Sequence, residues 1–414
     1  MAMPKKFISF LGTGNYQPCM YTLNNRKSKS VYFIQEALID FVCNDFEKED
    51  SLVFFLSSDA RSKNWSHLHT NLCDKKLKAP ILDISIPDSK TEAGIWDLFN
   101  VIFTSLDEND SIIFDLTHSF RFLPMLCFSV LHYASFLKNI SVEGVYYGAW
   151  ETRDIETSEA PIFNLTDSFT LMQWANAADV FTNYGISGKI NTLVKKTAKD
   201  FHGTSSLADK LKNIEITMST VRGSEIQEGK VFTDCREKIK ILRDENIYQP
   251  ALKPLLDVIE NKISRFSENS NLNFLYAAQW YIKHNMTQQA FTIMEEGIIT
   301  YLIEKFSGDF RDLEQREACS SSINHAFNTV IKNDSEWNES TSEQKHRKLT
   351  ADIFIYVSMN RELLVLFNKL VANRNDINHA GYKSNISKGN TLLKTAENIF
   401  TNLQELFINK ENNI

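Results

Sequence analysis

The sequence has no Cys-x-x-Cys pair, no apolar run long enough to cross a membrane and no excess of positive charge. Its six cysteines (Cys19, Cys43, Cys73, Cys127, Cys235 and Cys319) are too dispersed for a zinc ribbon or a thioredoxin-type motif. Spread in this way, they predict buried thiols of a reducing compartment. The run Phe7-Ile8-Ser9-Phe10-Leu11 stops at glycine and is too short for a signal-peptide core. No later segment approaches the roughly 18 apolar residues of a membrane span. A cytoplasmic protein with no membrane contact is therefore expected. Lys+Arg 45 against Asp+Glu 52 gives a formal charge of -7. That excludes a protein that coats nucleic acid or anionic lipid by bulk charge, while leaving room for a local basic pocket.

Several catalytic signatures are missing as well. There is no Gly-x-Ser-x-Gly elbow and no His-Glu-x-x-His. The loop Gly12-Thr13-Gly14-Asn15-Tyr16 lacks the third glycine of a dinucleotide fingerprint and the Gly-Lys-Ser/Thr of a P-loop. His67 and His69 form a His-x-His with no obvious carboxylate or cysteine partner nearby, so no metal site is assigned.

What is present is ordinary globular material: 414 residues, 43% apolar and 23% charged, enough for two or three domains. In the first 165 residues short apolar runs alternate with helix-period segments. Phe7–Leu11, Leu52–Leu56, Pro80–Ile86, Ser111–Phe114 and Val142–Tyr147 are predicted strands. Ile95, Leu98, Phe99, Ile102 and Phe103 fall at three-and-four spacing, the stripe of an amphipathic helix, and Pro124–Leu137 predicts another. Fully apolar strands alternating with helices predict a Rossmann-like α/β domain, a parallel sheet covered on both faces. Ligands of such sheets bind beyond the carboxyl ends of the strands, where Gly12–Tyr16, Ser57–Asp59 and Asp115–Arg121 fall. Beyond about Leu165 only helical periodicity remains, with stripes such as Phe291, Met294, Ile298, Tyr301, Leu302 and Leu363, Phe367, Leu370. The polar segment Asp334–Lys348 is expected to be an exposed loop. The expected division is an α/β domain over 1–167, a helical connector over 168–250 and an all-α domain over 251–414.

Three segments carry polar residues suited to chemistry. Two glycines after a strand let a backbone approach phosphate or sugar closely, though Gly12–Gly14 also fits a plain tight turn. Asp115-Leu116-Thr117-His118-Ser119-Phe120-Arg121 leaves a strand and opens a helix, where amides, hydroxyls and an arginine suit an anion. Its plain alternative has Ser119 capping the helix and His118 structural. Arg374 continues the stripe of Leu363, Phe367 and Leu370, and a guanidinium on a buried face needs a partner or an anionic ligand. His379, five residues on, is rotated some 140° from it, so one straight helix does not aim both at one atom. Either both side chains are solvated at a frayed end, or two copies of the helix meet at a twofold axis.

In combination these segments resemble the CARF–HEPN effectors of type III CRISPR systems, in the branch known by an Asp-x-Thr-His-Gly motif. Asp115-Leu116-Thr117-His118 is similar to that motif, with Phe120-Arg121 and Pro124 after it. Pro161-Ile162-Phe163-Asn164-Leu165-Thr166, then Trp174-Ala175-Asn176-Ala177 and Phe181, resemble the exit from the CARF domain. Arg374-Asn375-x-x-x-His379 is similar to the HEPN signature Arg-x(4–6)-His. Ser119 departs from the motif's glycine and places a side chain at the ligand pocket.

The resemblance implies a CARF domain that binds a cyclic oligoadenylate and an all-α HEPN domain that cleaves single-stranded RNA without metal, leaving 2',3'-cyclic phosphate ends. It implies Gly12, Thr13, Gly14, Asn15, Thr117, His118 and Ser119 as activator contacts; strand-end position and charge add Ser57, Ser58 and Arg121. It implies Arg374, Asn375 and His379 as catalytic residues: His379 as general acid or base, because an imidazole titrates near neutrality, Arg374 on the phosphoryl charge, and Asn375 orienting. No cofactor or metal is implied beyond the activator, with the tetra-adenylate favoured over the hexa-adenylate. A homodimer or higher oligomer is implied, with no stable association with the CRISPR effector complex. The alternative is a CARF sensor whose helical domain binds a protein or nucleic-acid partner without cleaving RNA. Slow cleavage of the activator by the CARF pocket is a further open variant.

Overall fold

The computed structural model describes residues 3–87, 91–118, 122–197, 204–246, 250–334, 336, 339–382 and 386–411. The chain divides into two compact units, Met1–Gln173 and Trp174–Ile414.

The N-terminal unit is built on eight strands: β1 (Lys5–Leu11), β2 (Cys19–Leu23), β3 (Arg26–Val31), β4 (Ser51–Leu56), β5 (Ile81–Ser85), β6 (Ser111–Asp115), β7 (Ser141–Gly148) and β8 (Glu159–Asn164). Their order is β3-β2-β8-β7-β6-β1-β4-β5. Five of them, β7-β6-β1-β4-β5, are parallel, and these are the five apolar runs visible in the sequence. Side chains alternate across the sheet, so both faces become cores. Phe7, Leu11, Leu52 and Phe54 pack with Ile34, Leu38, Leu68 and Leu72 on one face. Ile8, Phe10, Val53 and Phe55 pack with Leu98, Ile102, Cys127 and Leu131 on the other.

The sheet is mixed, which corrects the expectation of a purely parallel one: β8 runs antiparallel to β7, and β3 antiparallel to β2. None of these three extra strands is an apolar run. β2 buries only alternate residues, β3 is the charged edge RKSKSV, and β8 contains Pro161. Lysine on an edge strand blocks pairing with other chains, at the expense of a sequence signal. The β2–β3 turn, Asn24-Asn25, has both residues at positive φ, the tight hairpin geometry that asparagine tolerates.

The C-terminal unit is helical, with one apolar core running from Ala177 and Phe181 to Leu403 and Phe407. Residues expected to form a connector and those expected to form a separate domain contribute to the same core. Its central helix, Thr287–Lys305, is apolar on nearly every side, as a helix surrounded by others must be. The expected stripe Leu363, Phe367, Leu370 is buried on the helix Arg361–Asn378. The segment expected to be a loop contains the helix Thr341–Lys345, whose Ser340 and Glu343 form a reciprocal capping box with Glu343 buried. Five cysteines are buried and Cys73 is exposed. Among the described residues no helix is long and apolar enough to cross a membrane, and no group of three or more His, Cys, Asp or Glu is placed to hold a metal.

Candidate functional site

In the parallel part of the sheet the strand order reverses between β1 and β6, because β4 and β5 lie to one side of β1 while β6 and β7 lie to the other. The carboxyl ends of β1 and β6 therefore form a crevice that no crossover helix fills. Gly12–Gly14 follow β1 and Leu116–His118 follow β6. Two adjoining cavities of about 260 Å³ each open there, sharing Gly14, Tyr16, Thr117 and His118 as a common wall.

A buried polar network sets that wall. Asp115 is buried at the last position of β6; its Oδ2 accepts a hydrogen bond from Ser9 Oγ at 2.8 Å, and its Oδ1 accepts from the Thr117 amide at 2.9 Å. Gln35 Nε2 donates to Ser9 Oγ at 3.1 Å and to the Phe10 carbonyl at 3.2 Å. Burial pushes the Asp115 carboxyl up, and the bonds from Thr117 and Ser9 hold it down in part. The Thr117 hydroxyl accepts from the Gly148 amide at 2.9 Å, so this threonine ties the end of β6 to the end of β7. Gly148 has no room for a side chain: a Cβ there would lie 1.9 Å from Ile34 Cδ1.

His118 packs against Tyr16, with ring centroids 4.5 Å apart, and its Nε2 has no protein partner. Burial pulls its pKa down to about 4, opposed by Glu151. It is neutral at physiological pH and presents an uncharged imidazole to the cavities. The folded pKa lies below the ordinary 6.5, so the unfolded chain binds more protons in between, and the contribution of His118 to stability falls as pH drops from about 6.5 to about 4. The difference amounts to roughly 3 kcal/mol. In chemical denaturation at pH 7 and pH 4, His118→Gln should lose correspondingly less stability than the wild type; equal losses would contradict this account.

The glycine loop is clamped from the other side. Asn64 Nδ2 donates to the carbonyls of Gly12 and Gly14 at 2.9 and 3.1 Å, and Lys63 Nζ donates to that of Thr13 at 2.7 Å. Both come from a π-helical turn, Arg61–Trp65, a local widening common at functional sites. A Cβ on Gly12 would lie 2.6 Å from the Tyr16 hydroxyl, so a side chain there would have to displace the Tyr16 ring.

Of the residues expected at this site, Gly12, Thr13, Gly14, Asn15, Thr117, His118 and Ser57 line the two cavities. Ser57 also caps a helix, accepting from the Ala60 amide at 3.2 Å. Ser58 is exposed and lines neither cavity. Ser119 and Arg121 lie outside the described residues. Asn64, Lys63 and Tyr21 carry no signature in the sequence, since their roles depend on side chains crossing between separate elements.

The second expected site lies in the helical unit. Arg374 faces inward from the helix Arg361–Asn378, and its Nη1 donates to Glu295 at 2.7 Å and Glu296 at 3.3 Å. Glu296 also accepts from Arg316 at 2.7 Å. Glu295 is 6% exposed; burial raises its carboxyl, and Arg374 draws it back down. A buried carboxylate on the innermost helix fixes the guanidinium in place. Asn375 and His379 are exposed. His379 is the C-cap, and the helix stops in a Schellman arrangement: the Ala380 amide donates to the Ile377 carbonyl at 2.8 Å and that of Gly381 to Asp376 at 3.2 Å. Within one chain Arg374 and His379 thus belong to different faces, as their spacing predicts. Ala380 sits at φ 51°, where glycine is easier. Ala380→Gly should raise stability by about 0.5–1 kcal/mol, read by urea denaturation; a loss would contradict the αL assignment.

Residues 6–151 match a family model described as CRISPR system endoribonuclease Csx1, CARF domain. The N-terminal unit is similar to a CARF domain. Residues 170–270 match a second model, CRISPR-associated protein MJ1674, second domain. The chain is also 25% identical over 222 residues to the CRISPR-associated protein MJ1674 of Methanocaldococcus jannaschii, an alignment covering 51% of this chain and 32% of that protein. The chain spans about a third of the length of that relative. Together these matches support a CRISPR-associated, CARF-containing protein with a Rossmann-like N-terminal unit and a helical C-terminal region.

Proposed function

We propose that the protein is a ribonuclease of type III CRISPR defence, switched on by a cyclic oligoadenylate in the crevice between β1 and β6. The observation that carries this reading is the pair of adjoining cavities divided by Tyr16, Thr117 and His118. Two compartments per chain accommodate two nucleotides, and two chains about a twofold axis accommodate four, which favours cyclic tetra-adenylate. A neutral His118 hydrogen-bonds a base or ribose without needing a charge. Thr13, Asn15 and the glycine backbone offer further polar contacts, and Ser119 and Arg121 are proposed as activator contacts on their place in the sequence.

In the helical unit the RNA's own 2'-oxygen bonds to the adjacent phosphorus while the bond from phosphorus to the 5'-oxygen breaks. His379 transfers the proton, from the 2'-hydroxyl or to the departing 5'-oxygen, and the products are a 2',3'-cyclic phosphate and a 5'-hydroxyl. Arg374 stabilises the charge on the phosphoryl oxygens and Asn375 orients the histidine or a phosphate oxygen. Because Arg374 and His379 diverge on one helix, Arg374 of one protomer is paired with His379 of its partner. The activator works only through a higher affinity for the active arrangement than for the idle one.

The test is cleavage of a quenched-fluorophore RNA in EDTA, with cyclic tri-, tetra- or hexa-adenylate added separately. Cleavage with one ring alone supports the proposal and names the activator. Binding of a ring without cleavage by any would overturn it in favour of a sensor whose helical unit recruits a partner.

A further inference from the structure

The helical unit holds a cavity outside the Arg374 ion pairs. It measures about 210 Å³ and lies between the helices Lys253–Ile263 and Asn273–Lys283. Lys262, Arg265 and Lys283 line it with Tyr276, Trp280 and His284, and no carboxylate is among its lining residues. Lys262 is anchored: its Nζ donates to the carbonyls of Phe181 and Thr182 at 3.1 and 2.8 Å and lies 4.5 Å from the Trp280 ring centroid. Arg265 and Lys283 reach solvent, Arg265 keeping one bond to Gln279 at 3.3 Å.

Cations gathered without an acid repel one another. Burial, and then Lys283, lowers Lys262 to about 8; burial, and then Lys262 and Lys283, lowers His284 to about 4. A bound anion relieves that repulsion. His284 supplies a second and independent observation. It is 9% exposed, it stands in the wall of the cavity, and neither ring nitrogen has a protein partner. A neutral imidazole carries one donor and one acceptor, and leaving both buried and unpaired weakens the fold unless a ligand engages them. The long exposed stem of Lys283 is the adjustable part of that wall.

The geometry points to a subsite for one nucleotide of an RNA strand, its phosphate on Arg265 and Lys283 and its base against Tyr276 and His284. This rests on the ribonuclease reading and deepens it. The position favours RNA: four residues beyond His284, Gln288 Nε2 donates to Asn378 Oδ1 at 3.2 Å, beside His379. Four residues span at most about 14 Å, so a strand held here needs only a few further nucleotides to reach His379.

The test is fluorescence anisotropy with a labelled 12-nucleotide RNA whose 2'-hydroxyls are all methylated, titrated with the full chain with and without cyclic tetra-adenylate. Arg265→Ala with Lys283→Ala should raise Kd roughly tenfold and reduce the salt slope by about 0.7, the value for one phosphate contact on a single strand. Lys212→Ala with Lys240→Ala, both exposed on other helices, should change neither. His284→Phe keeps the ring and removes the unpaired nitrogens, so it should weaken RNA binding about fivefold while raising the Tm of the free protein. Unchanged Kd and slope in the Arg265 and Lys283 double variant overturn the subsite, as does a wild type that does not bind the probe. Unchanged affinity in His284→Phe overturns the base contact. Failure of the nuclease reading would show separately, as an absence of cleavage in the ring-activated assay.

Discussion

Replacing His379 with alanine should lower ring-activated RNA cleavage by about 10²–10⁴-fold, the range that a positioned proton-transfer group supplies. The same change should leave ring affinity and RNA affinity as they were. His379 is exposed at the end of the helix Arg361–Asn378, where its backbone caps the helix and its side chain contributes nothing to the core. Stability should therefore stay within about 0.5 kcal/mol of wild type, so lost cleavage reports chemistry and not unfolding. Single-turnover rates with bound RNA make the measurement. A His379→Ala protein that cleaves at the wild-type rate would remove the catalytic assignment and leave the sensor.

Co-expressing Arg374→Ala with His379→Ala restores about a quarter of wild-type activity if each site takes its arginine from one protomer and its histidine from the other. Half of the dimers are then mixed, and in each mixed dimer one of the two sites is intact. If the two residues of a single chain act together, no mixed dimer has a complete site and activity stays at the level of the single variants. Arg374 is turned toward Glu295 and Glu296 while His379 points from the exposed end of the same helix, which is why the crossed arrangement is expected. Arg374→Ala leaves Glu295 buried without its cation, so this variant should also lose stability, by about 3 kcal/mol. Activity is therefore measured below its Tm, with tagged subunits so that mixed dimers are isolated.

Much of the N-terminal unit was legible because burial is written in residue type. Five apolar runs became the five parallel strands, and the polar residues that ended them became the rim of the crevice. The strands β2, β3 and β8 form one side of the sheet and carry no continuous apolar run: β2 buries alternate residues, β3 is the lysine-bearing edge and β8 is interrupted by Pro161. The capping box at Ser340 and Glu343 was present in the sequence, and its helix was hidden by a polar neighbourhood.

The sequence by itself determined where the polar ends of strands must cluster, because a parallel sheet with apolar runs leaves only its strand ends for chemistry. It also determined that Arg374 and His379 diverge, because helical rotation per residue is fixed. Only the tertiary structure decided what each of these groups meets. Asn64 reaches back some fifty residues to the glycine loop, Asp115 is held by Ser9, and the Arg374 guanidinium finds Glu295 on a helix about eighty residues earlier. Hydrophobic burial is non-directional and adds up along a stretch of chain, so it leaves a periodic record in the sequence. A hydrogen bond or an ion pair needs two atoms within about 3 Å, and for residues this far apart only the packed fold brings them there.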